Sequence, residues 1–407
     1  MAEILLLGKG ISNNALHQFM NKYLIEHDYL SLEEVNNFKY NLVIKGPGLY
    51  YSNYIIQKFM ELQVMIITDI EFIYWFLNKE FIGITGTNGK TSTTLLLTEM
   101  IKKKYRAIAC GNCGFPISQA ALDYKMFQYF VIELSSFQLK GCLKFTPKIA
   151  IVTNLKQAHL DYHGCVQDYY ESKFQITKNQ TKSDCLILNF DCENTMSLFK
   201  NSLASKITFS LKNRNADYYF IKDNLYHKKE KLFNCKGKMI TDKYNILAAV
   251  AAAKILDIPN KAIKQTIKEF KGVKYRLEEI KRDIFNDAKS TNIYSTIIAL
   301  KELKTDILLI CGGFDRKEDL SILDDYLNSI SCVFAYGATK DKLYNHFKRK
   351  KIEVYIFDTL RQATLAALNL RTNEKILYSP MFASYDQYLS FEERGKEFNN
   401  IINSYYK

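Results

Sequence analysis

At 407 residues, with 47% hydrophobic and 24% charged side chains, the chain has room for about three domains of roughly 100–200 residues each and needs no disulfide staples. The 28 Tyr and 26 Phe, against 17 Gly and 5 Pro, exclude collagen-like and disordered classes. Lys and Arg number 56 and Asp and Glu 43, a net charge of +13. This surplus points to anionic partners (nucleotides, nucleic acid, a membrane surface or acidic metabolites) or to lysines that fill solvated faces.

In chain order, Ile4–Leu7 predicts a buried strand followed by the turn Gly8-Lys9-Gly10. No basic region precedes this apolar run, and it is too short for a signal peptide. Short strands are expected at Leu42–Ile44, ending at Gly46-Pro47-Gly48, and at Val64–Thr68. The stretch Val64 to Leu77 is the most apolar, but Thr68, Asp69 and Glu71 interrupt it, so it does not read as a membrane span. A cytoplasmic chain with reduced thiols is expected, because the nine Cys are odd in number and irregularly spaced. A strand at Phe81–Thr85 opens a second unit, with a helix from Lys90 to about Lys104. Cys110-Gly111-Asn112-Cys113 matches C-x-x-C, yet Gly114 and Pro116 follow it, which favours a loop over a redox helix; no second pair stands at zinc spacing.

Tyr129–Leu134, Ile149–Asn154 and Cys185–Asn189 read as buried strands, and Lys206–Phe233 as shorter, more polar ones. Helices follow at Tyr169–Lys178, Tyr244–Leu256 and Asn260–Phe270. A third unit opens near Val273, with strands at Ile307–Cys311, Cys332–Tyr336, Val354–Phe357 and Lys375–Ser379. Such alternation predicts an α/β protein with parallel sheets covered by helices. Three domains are expected: residues 1–79, Rossmann-like; residues 80–273, a P-loop ATPase-like parallel sheet; and residues 274–407, again Rossmann-like.

The strongest local signal is Gly83-Ile84-Thr85-Gly86-Thr87-Asn88-Gly89-Lys90-Thr91. A strand runs into a glycine-rich turn and then a helix, so backbone N–H groups and the helix N-terminus can face a phosphate. Lys90 is placed to reach the outer phosphates and Thr91 to bind Mg²⁺. Ile84 occupies a position where the strict G-x-x-x-x-G-K-S/T spacing has glycine, so the loop is a variant. Glu133 ends an apolar run; it either points into a site or faces water from an edge strand. His159, Asp161 and His163 cluster after Ile149–Asn154, and Lys173 follows on a helix where, taken alone, a lysine is a solvated face. Beyond residue 273, the polar segments Asn286–Asn292, Gly312–Arg316 and Ser379–Gln387 each follow a strand, where α/β sites lie.

Together these residues resemble the Mur ligase family of peptidoglycan synthesis, and within it the members that add D-glutamate. The loop matches the family's G-x-T-G-T-N-G-K-S/T, which carries a non-glycine residue at the position of Ile84. Glu133 to Leu139 reads E-L-S-S-F-Q-L, Asn286 to Asn292 reads N-D-A-K-S-T-N, and Ser379 to Gly395 matches S-P-x-x-A-S-x-D-Q-F/Y-x-x-F-x-x-R-G. The N-terminal Gly8-Lys9-Gly10-Ile11-Ser12-Asn13 is similar to the family's first turn, with Asn13 in place of its last glycine. Thr241-Asp242-Lys243-Tyr244-Asn245 stands where the family often shows H-N-x-x-N, so Asn245 matches and Asp242 departs.

The resemblance implies an ATP-dependent ligase that adds D-glutamate to UDP-N-acetylmuramoyl-L-alanine through an acyl phosphate. It implies ATP at Gly86, Thr87, Asn88, Gly89, Lys90, Thr91, Asn245, Arg276 and Asp287. It implies two Mg²⁺ ions served by Thr91, Glu133, His159 and Lys173, the last as a carbamate. Ser12, Asn112, Ser135 and Gln138 would face the UDP substrate; Lys289, Thr291, Arg316, Ser384 and Phe391 would hold D-glutamate. Lys90, His159 and Lys173 would carry the catalysis, in a monomer that needs no nucleic acid and inserts in no membrane. The rival readings are a sibling ligase for another amino acid, a folylpolyglutamate synthase, a nucleic-acid-binding P-loop protein and a non-catalytic nucleotide scaffold.

Overall fold

The computed structural model describes residues 3–316 and 319–406, apart from the side chain of Thr241. They form two compact units, Met1–Phe270 and Lys271–Lys407. Unit 1 opens with β1 (Ile4–Leu7), α1 (Ile11–Lys22), β2 (Asp28–Leu30), β3 (Leu42–Lys45), α2 (Tyr54–Glu61), β4 (Met65–Ile67) and α3 (Asp69–Phe76). The strands make a parallel sheet in the order β2-β1-β3-β4. Leu5, Leu6, Leu7, Val43 and Ile44 are fully buried on its two faces, as short continuous apolar strands of a helix-covered sheet must be.

The larger sheet of unit 1 follows: β5 (Glu80–Thr85), α4 (Lys90–Ile101), β6 (Ala107–Gly111), α5 (Ile117–Ala121), β7 (Tyr129–Glu133), α6 (Ser136–Leu139), β8 (Ile149–Val152), α7 (Leu160–His163), α8 (Val166–Phe174), β9 (Cys185–Asn189), α9 (Glu193–Leu198), β10 (Ser205–Ser210), β11 (Tyr218–Ile221), β12 (Asn224–His227), β13 (Glu230–Asn234), α10 (Ile240–Ile255) and α11 (Asn260–Glu269). Its nine strands run β13-β12-β11-β10-β9-β8-β5-β7-β6, parallel from β6 to β11, with β12 and β13 antiparallel. The glycine-rich strand β5 therefore lies between β8 and β7, and the ends of β7 and β8 flank its turn. On one face α10, with Leu247 to Ala253 fully buried, packs with Leu96 and Leu97 of α4. The small alanines allow this close approach of two helices over one sheet.

The two sheets of unit 1 share a core. Phe19, Ile44, Ile67 and Ile73 pack in the same cluster as Phe81, Phe130, Phe145 and Leu139. A polar clasp reinforces it: Glu71 of α3, fully buried, accepts the backbone N–H groups of Leu143, Lys144 and Phe145 (2.7–3.0 Å) and the indole N–H of Trp75.

Unit 2 contains β14 (Glu278–Lys281), β15 (Ile284–Asn286), α12 (Ile293–Leu303), β16 (Ile307–Gly312), β17 (Ile330–Tyr336), α13 (Lys340–Arg349), β18 (Glu353–Phe357), α14 (Leu360–Leu370), β19 (Lys375–Met381) and α15 (Phe391–Tyr405). The sheet order is β14-β15-β19-β16-β17-β18, parallel except for β14. Strands β15, β19 and β16 are adjacent, so the three polar turns after them emerge side by side. The α/β expectation holds in both units. Strands β2 and β6 were not among the expected elements; β2 is three residues long and β6 runs into the C-x-x-C segment, so neither carries a strong apolar period.

Candidate active site

The turn after β5 is shaped by backbone. Gly86 has φ +138°, and a Cβ there would lie 2.0 Å from Thr153 Oγ1; Gly89 has φ +87°, and its Cβ would lie 2.5 Å from Asn245 Oδ1. Glycine is required at both positions. Thr153 donates to Asn88 O (2.6 Å), Asn154 Nδ2 donates to the same oxygen (2.9 Å), and Asn88 N–H donates to Asn154 Oδ1 (3.1 Å). Thr87 Oγ1 donates to Lys156 O (3.0 Å) and lies 3.1 Å from the Tyr169 hydroxyl. The end of β8 thus clamps the loop from one side. Gly89 caps α4 with no side chain bonded to the first turn, which leaves helix N–H groups facing the loop. Lys90 curls over it, its amine donating to Gly86 O and Thr87 O (both 3.0 Å).

A second lysine reaches the same loop from below. Lys173 of α8 is 1% exposed and donates to Gly86 O (2.9 Å) and Thr85 Oγ1 (3.3 Å). Burial pushes its amine well below the usual lysine range; the charge of Lys90 pushes the same way and Glu133 opposes. Glu133, 3% exposed at the end of β7, accepts from Asn112 Nδ2 (2.9 Å). Of the two readings of Glu133, the buried, inward one is the observed one. Ser135 and Gln138 form a capping box on α6, so Gln138 is buried and locks the turn. His159 caps α7 in the left-handed region (φ +56°), its ring 5.1 Å from that of Phe137. Thr91, in the first turn of α4, is half-buried, and Asn245 of α10 accepts from Thr93 Oγ1 (3.3 Å) beside Gly89. Ser12 lies in the first turn of α1, in the smaller sheet's layer of unit 1.

In unit 2 the three turns meet. Phe314 N–H donates to Ala383 O (2.8 Å), joining the second turn to the third. Asp287 is 1% exposed; its carboxylate takes hydrogen bonds from Ser290, Ser379 (2.8 Å) and the Leu277 N–H (3.1 Å). Burial raises its pKa, against the pull of Arg276. Arg276 itself donates to Ser290 Oγ (3.2 Å). The Lys289 amine sits 4.8 Å from the Phe391 ring centroid and the Arg316 guanidinium 5.4 Å from that of Tyr385. Ser384 is buried and Thr291 half-buried. Two cations, the hydroxyls of Ser384 and Thr291 and two aromatic rings therefore border one sheet edge.

A Mur ligase middle-domain profile matches residues 84–253. The chain is 34% identical over 422 residues to the UDP-N-acetylmuramoylalanine–D-glutamate ligase of Oenococcus oeni, covering 98% of this chain and 96% of that protein. It is 40% identical over 374 residues to the ligase of the same name from Bacillus thuringiensis strain Al Hakam, covering 89% and 83%. The chain belongs to the Mur ligase family. Solved structures share the fold: a pseudomurein peptide ligase type C from Methanothermus fervidus (TM-score 0.66, 17% identity, 99% and 100% of the two chains) and a UDP-N-acetylmuramate-alanine ligase from Thermotoga maritima (TM-score 0.62, 18% identity, 99% and 100%).

The donor set of this Mur ligase fits Mg²⁺. Among the described residues no group of three or more His, Cys, Asp or Glu converges as a metal site. Thr91 in the first turn of α4 offers a hydroxyl, Glu133 at the end of β7 a buried carboxylate and His159 at the start of α7 an imidazole. Mg²⁺ is commonly held in this way, by one or two protein carboxylates with water and phosphate oxygens completing its shell.

His163, noted in the sequence beside His159, is pinned by Asp168 (Nδ1 to Oδ2, 2.5 Å) and Ser136 (2.9 Å). Sequence reasoning passed over several other groups around these sites: Lys140 pairs with the same Asp168 (2.6 Å). In unit 2 the fully buried Arg394 donates to Ala288 O (3.1 Å) and Phe382 O (2.8 Å), bridging the first and third turns. An arginine inside the run of Ser379 to Gly395 was the available signal. Lys45 and Tyr162 had none.

Proposed function

We propose that this Mur ligase joins D-glutamate to UDP-N-acetylmuramoyl-L-alanine with consumption of ATP. An oxygen of the alanyl carboxylate attacks the γ-phosphorus, ADP leaves, and an acyl phosphate forms. The D-glutamate amine then attacks the acyl carbon, inorganic phosphate leaves, and the amine loses a proton. One observation carries the reaction class: two lysines and a buried carboxylate surround a single glycine loop whose backbone is fixed from both sides. The choice of amino acid rests on the names of the relatives and on the cationic turns of unit 2.

In this reading Gly86 to Lys90 cradle the phosphates, with Lys90 neutralising charge that builds on the transferring group. Thr91, Glu133, His159 and the carbamate of Lys173 would hold two Mg²⁺ ions, which would supply further charge neutralisation when bound. A buried amine whose charged form is disfavoured suits that carbamate: once deprotonated, its nitrogen lone pair attacks CO₂, an N–C bond forms and a proton is released. Asn245, Arg276 and Asp287 contact ATP. Ser12, Asn112, Ser135 and Gln138 face the UDP substrate. Lys289, Thr291, Arg316, Ser384 and Phe391 receive the two D-glutamate carboxylates. A single chain carries every one of these residues, which supports action as a monomer. Among the described residues no helix is long and apolar enough to cross a membrane. The substrates of this reading place the protein in the cytoplasm.

The deciding measurement is phosphate release with ATP, Mg²⁺, UDP-N-acetylmuramoyl-L-alanine and a panel of amino acids. D-glutamate is expected to exceed L-glutamate, L-alanine, L-lysine and diaminopimelate by at least about 100-fold in kcat/KM, as a site built to pair two carboxylates requires. Preference for another amino acid sinks the reading.

A further inference from the structure

Lys45 ends β3, is fully buried, and takes no part in the phosphate loop. In the order β2-β1-β3-β4 the chain passes from β1 to β2 on one side and from β3 to β4 on the other. The switch point, where ligands of parallel sheets bind, is therefore the crevice beyond the ends of β1 and β3. Gly8–Gly10 and Gly46–Leu49 follow these two strands. The Lys45 amine curls under the second turn and donates to Leu49 O (2.7 Å), Gly46 O (3.2 Å) and Pro47 O (3.4 Å). It also donates to the Tyr162 hydroxyl (3.2 Å), which itself reaches Leu49 O (3.1 Å) and Pro47 O (3.3 Å). The Tyr51 ring lies 4.7 Å below the amine.

Trans peptide units are planar, so a carbonyl turned toward the amine sends the next N–H the other way. Lys45 thus fixes the outward direction of the Gly48 and Tyr50 N–H groups. Tyr162 belongs to α7, the helix that begins at His159 and is anchored at its other end by His163. A buried cation is a costly way to close a turn, since neutral donors would serve.

We propose that Lys45 is a positioning residue for the nucleotide-linked substrate: it holds the Gly46–Leu49 turn in the form that receives an anionic ligand at the β1/β3 crevice, and through Tyr162 ties that turn to the helix led by His159. The assignment rests on the function proposed above.

The amine is also a titrating switch. Burial takes it down to about 7, Lys140 pushes the same way, and Asp69 pulls against them. The groups that face it are Asp69 of α3, Lys140 with its partner Asp168 of α8, Tyr51, and Tyr162 of α7. Above that pH the amine loses its charge and keeps two donors instead of three for the three carbonyls and the hydroxyl around it, so the contacts weaken.

The test uses the full chain with Mg²⁺, saturating ATP and D-glutamate, and varied UDP-N-acetylmuramoyl-L-alanine, from about pH 6.5 to 8.5. In the parent, KM for the UDP substrate rises several-fold across this range. In Lys45→Met it is raised about tenfold at the low end, the size of one lost charge-assisted bond, and no longer varies with pH, while KM for ATP and D-glutamate stays within about twofold. Tyr162→Phe, which keeps the ring, raises the same KM about threefold and retains the pH dependence. Should Lys45→Met fail to fold, the parent profile and Tyr162→Phe decide. An unchanged KM in Lys45→Met, all three KM values moving together, or a pH-flat parent overturns the assignment of Lys45 alone. A parent that releases no phosphate with the UDP substrate overturns the proposed function as well.

Discussion

Lys173 and Lys90 donate to the same carbonyl, that of Gly86. Burial first, and then the like charge of Lys90, push the Lys173 amine well below the usual lysine range. An amine whose charged form is disfavoured by burial gives up its proton more readily, which is what carbamate formation requires. Lys173→Ala is expected to lower phosphate release by about 100-fold or more. Carbon-13-labelled bicarbonate is expected to give a carbamate signal in the parent that the variant lacks; full turnover in the variant refutes the role. Asp69 is another buried titrating group. It is fully buried, and no well-formed hydrogen bond reaches either carboxylate oxygen. Burial raises it from 3.8 to about 6, although the nearby backbone N–H dipoles of Ile70 and Asp69, too poorly aligned for a full bond, and the charge of Lys45 draw it down. Between those values the folded chain holds a proton that the unfolded chain has released, so stability falls as pH rises through the window. Asp69→Asn is expected to gain up to about 3 kcal/mol near neutral pH, with the gain fading below about pH 4. Urea unfolding of both proteins across that range checks it; a difference that does not vary with pH counts against the account.

At the scale of elements, α3 explains what its sequence only hinted. The charged residues that break the apolar run from Val64 to Leu77 are not surface interruptions. Thr68 donates to Gln138 O (2.9 Å), and Glu71 gathers three backbone N–H groups and an indole. The helix is thereby bolted to the segment after α6, and the smaller sheet to the larger. Glu71→Gln puts an amide where a carboxylate accepted four donors, leaving buried N–H groups without acceptors. It is expected to cost about 2–3 kcal/mol in urea unfolding. A loss below about 0.5 kcal/mol would show that the clasp is incidental. Strands β5, β7, β8 and β9 were legible because each is a short β-branched run closed by polar residues. Helix α7 was not: four residues with a left-handed cap have no period to read, and His159, Tyr162 and His163 owe their places to partners far along the chain.

For the molecule as a whole, residues 271–407 have their own six-stranded sheet and two hydrophobic clusters, one on each face. A fragment of those residues is expected to unfold in urea as one cooperative transition; a shallow, non-cooperative slope would refute this. The sequence by itself determined the α/β class, the phosphate loop, Glu133 as a candidate, and the three polar turns of unit 2, because glycine spacing, apolar period and motif identity are local properties; Lys173 read alone as a solvated face, and only the family resemblance singled it out. The net charge of +13 resolved no further alone, since most lysines serve solvated faces. Only the tertiary structure decided that Lys173 and Lys90 share one carbonyl, that Asp287 is buried among hydroxyls, that Arg394 bridges two turns, and that Lys45 lies under a turn with Tyr162. Burial and the approach of residues a hundred positions apart set those facts, and no spacing rule encodes them.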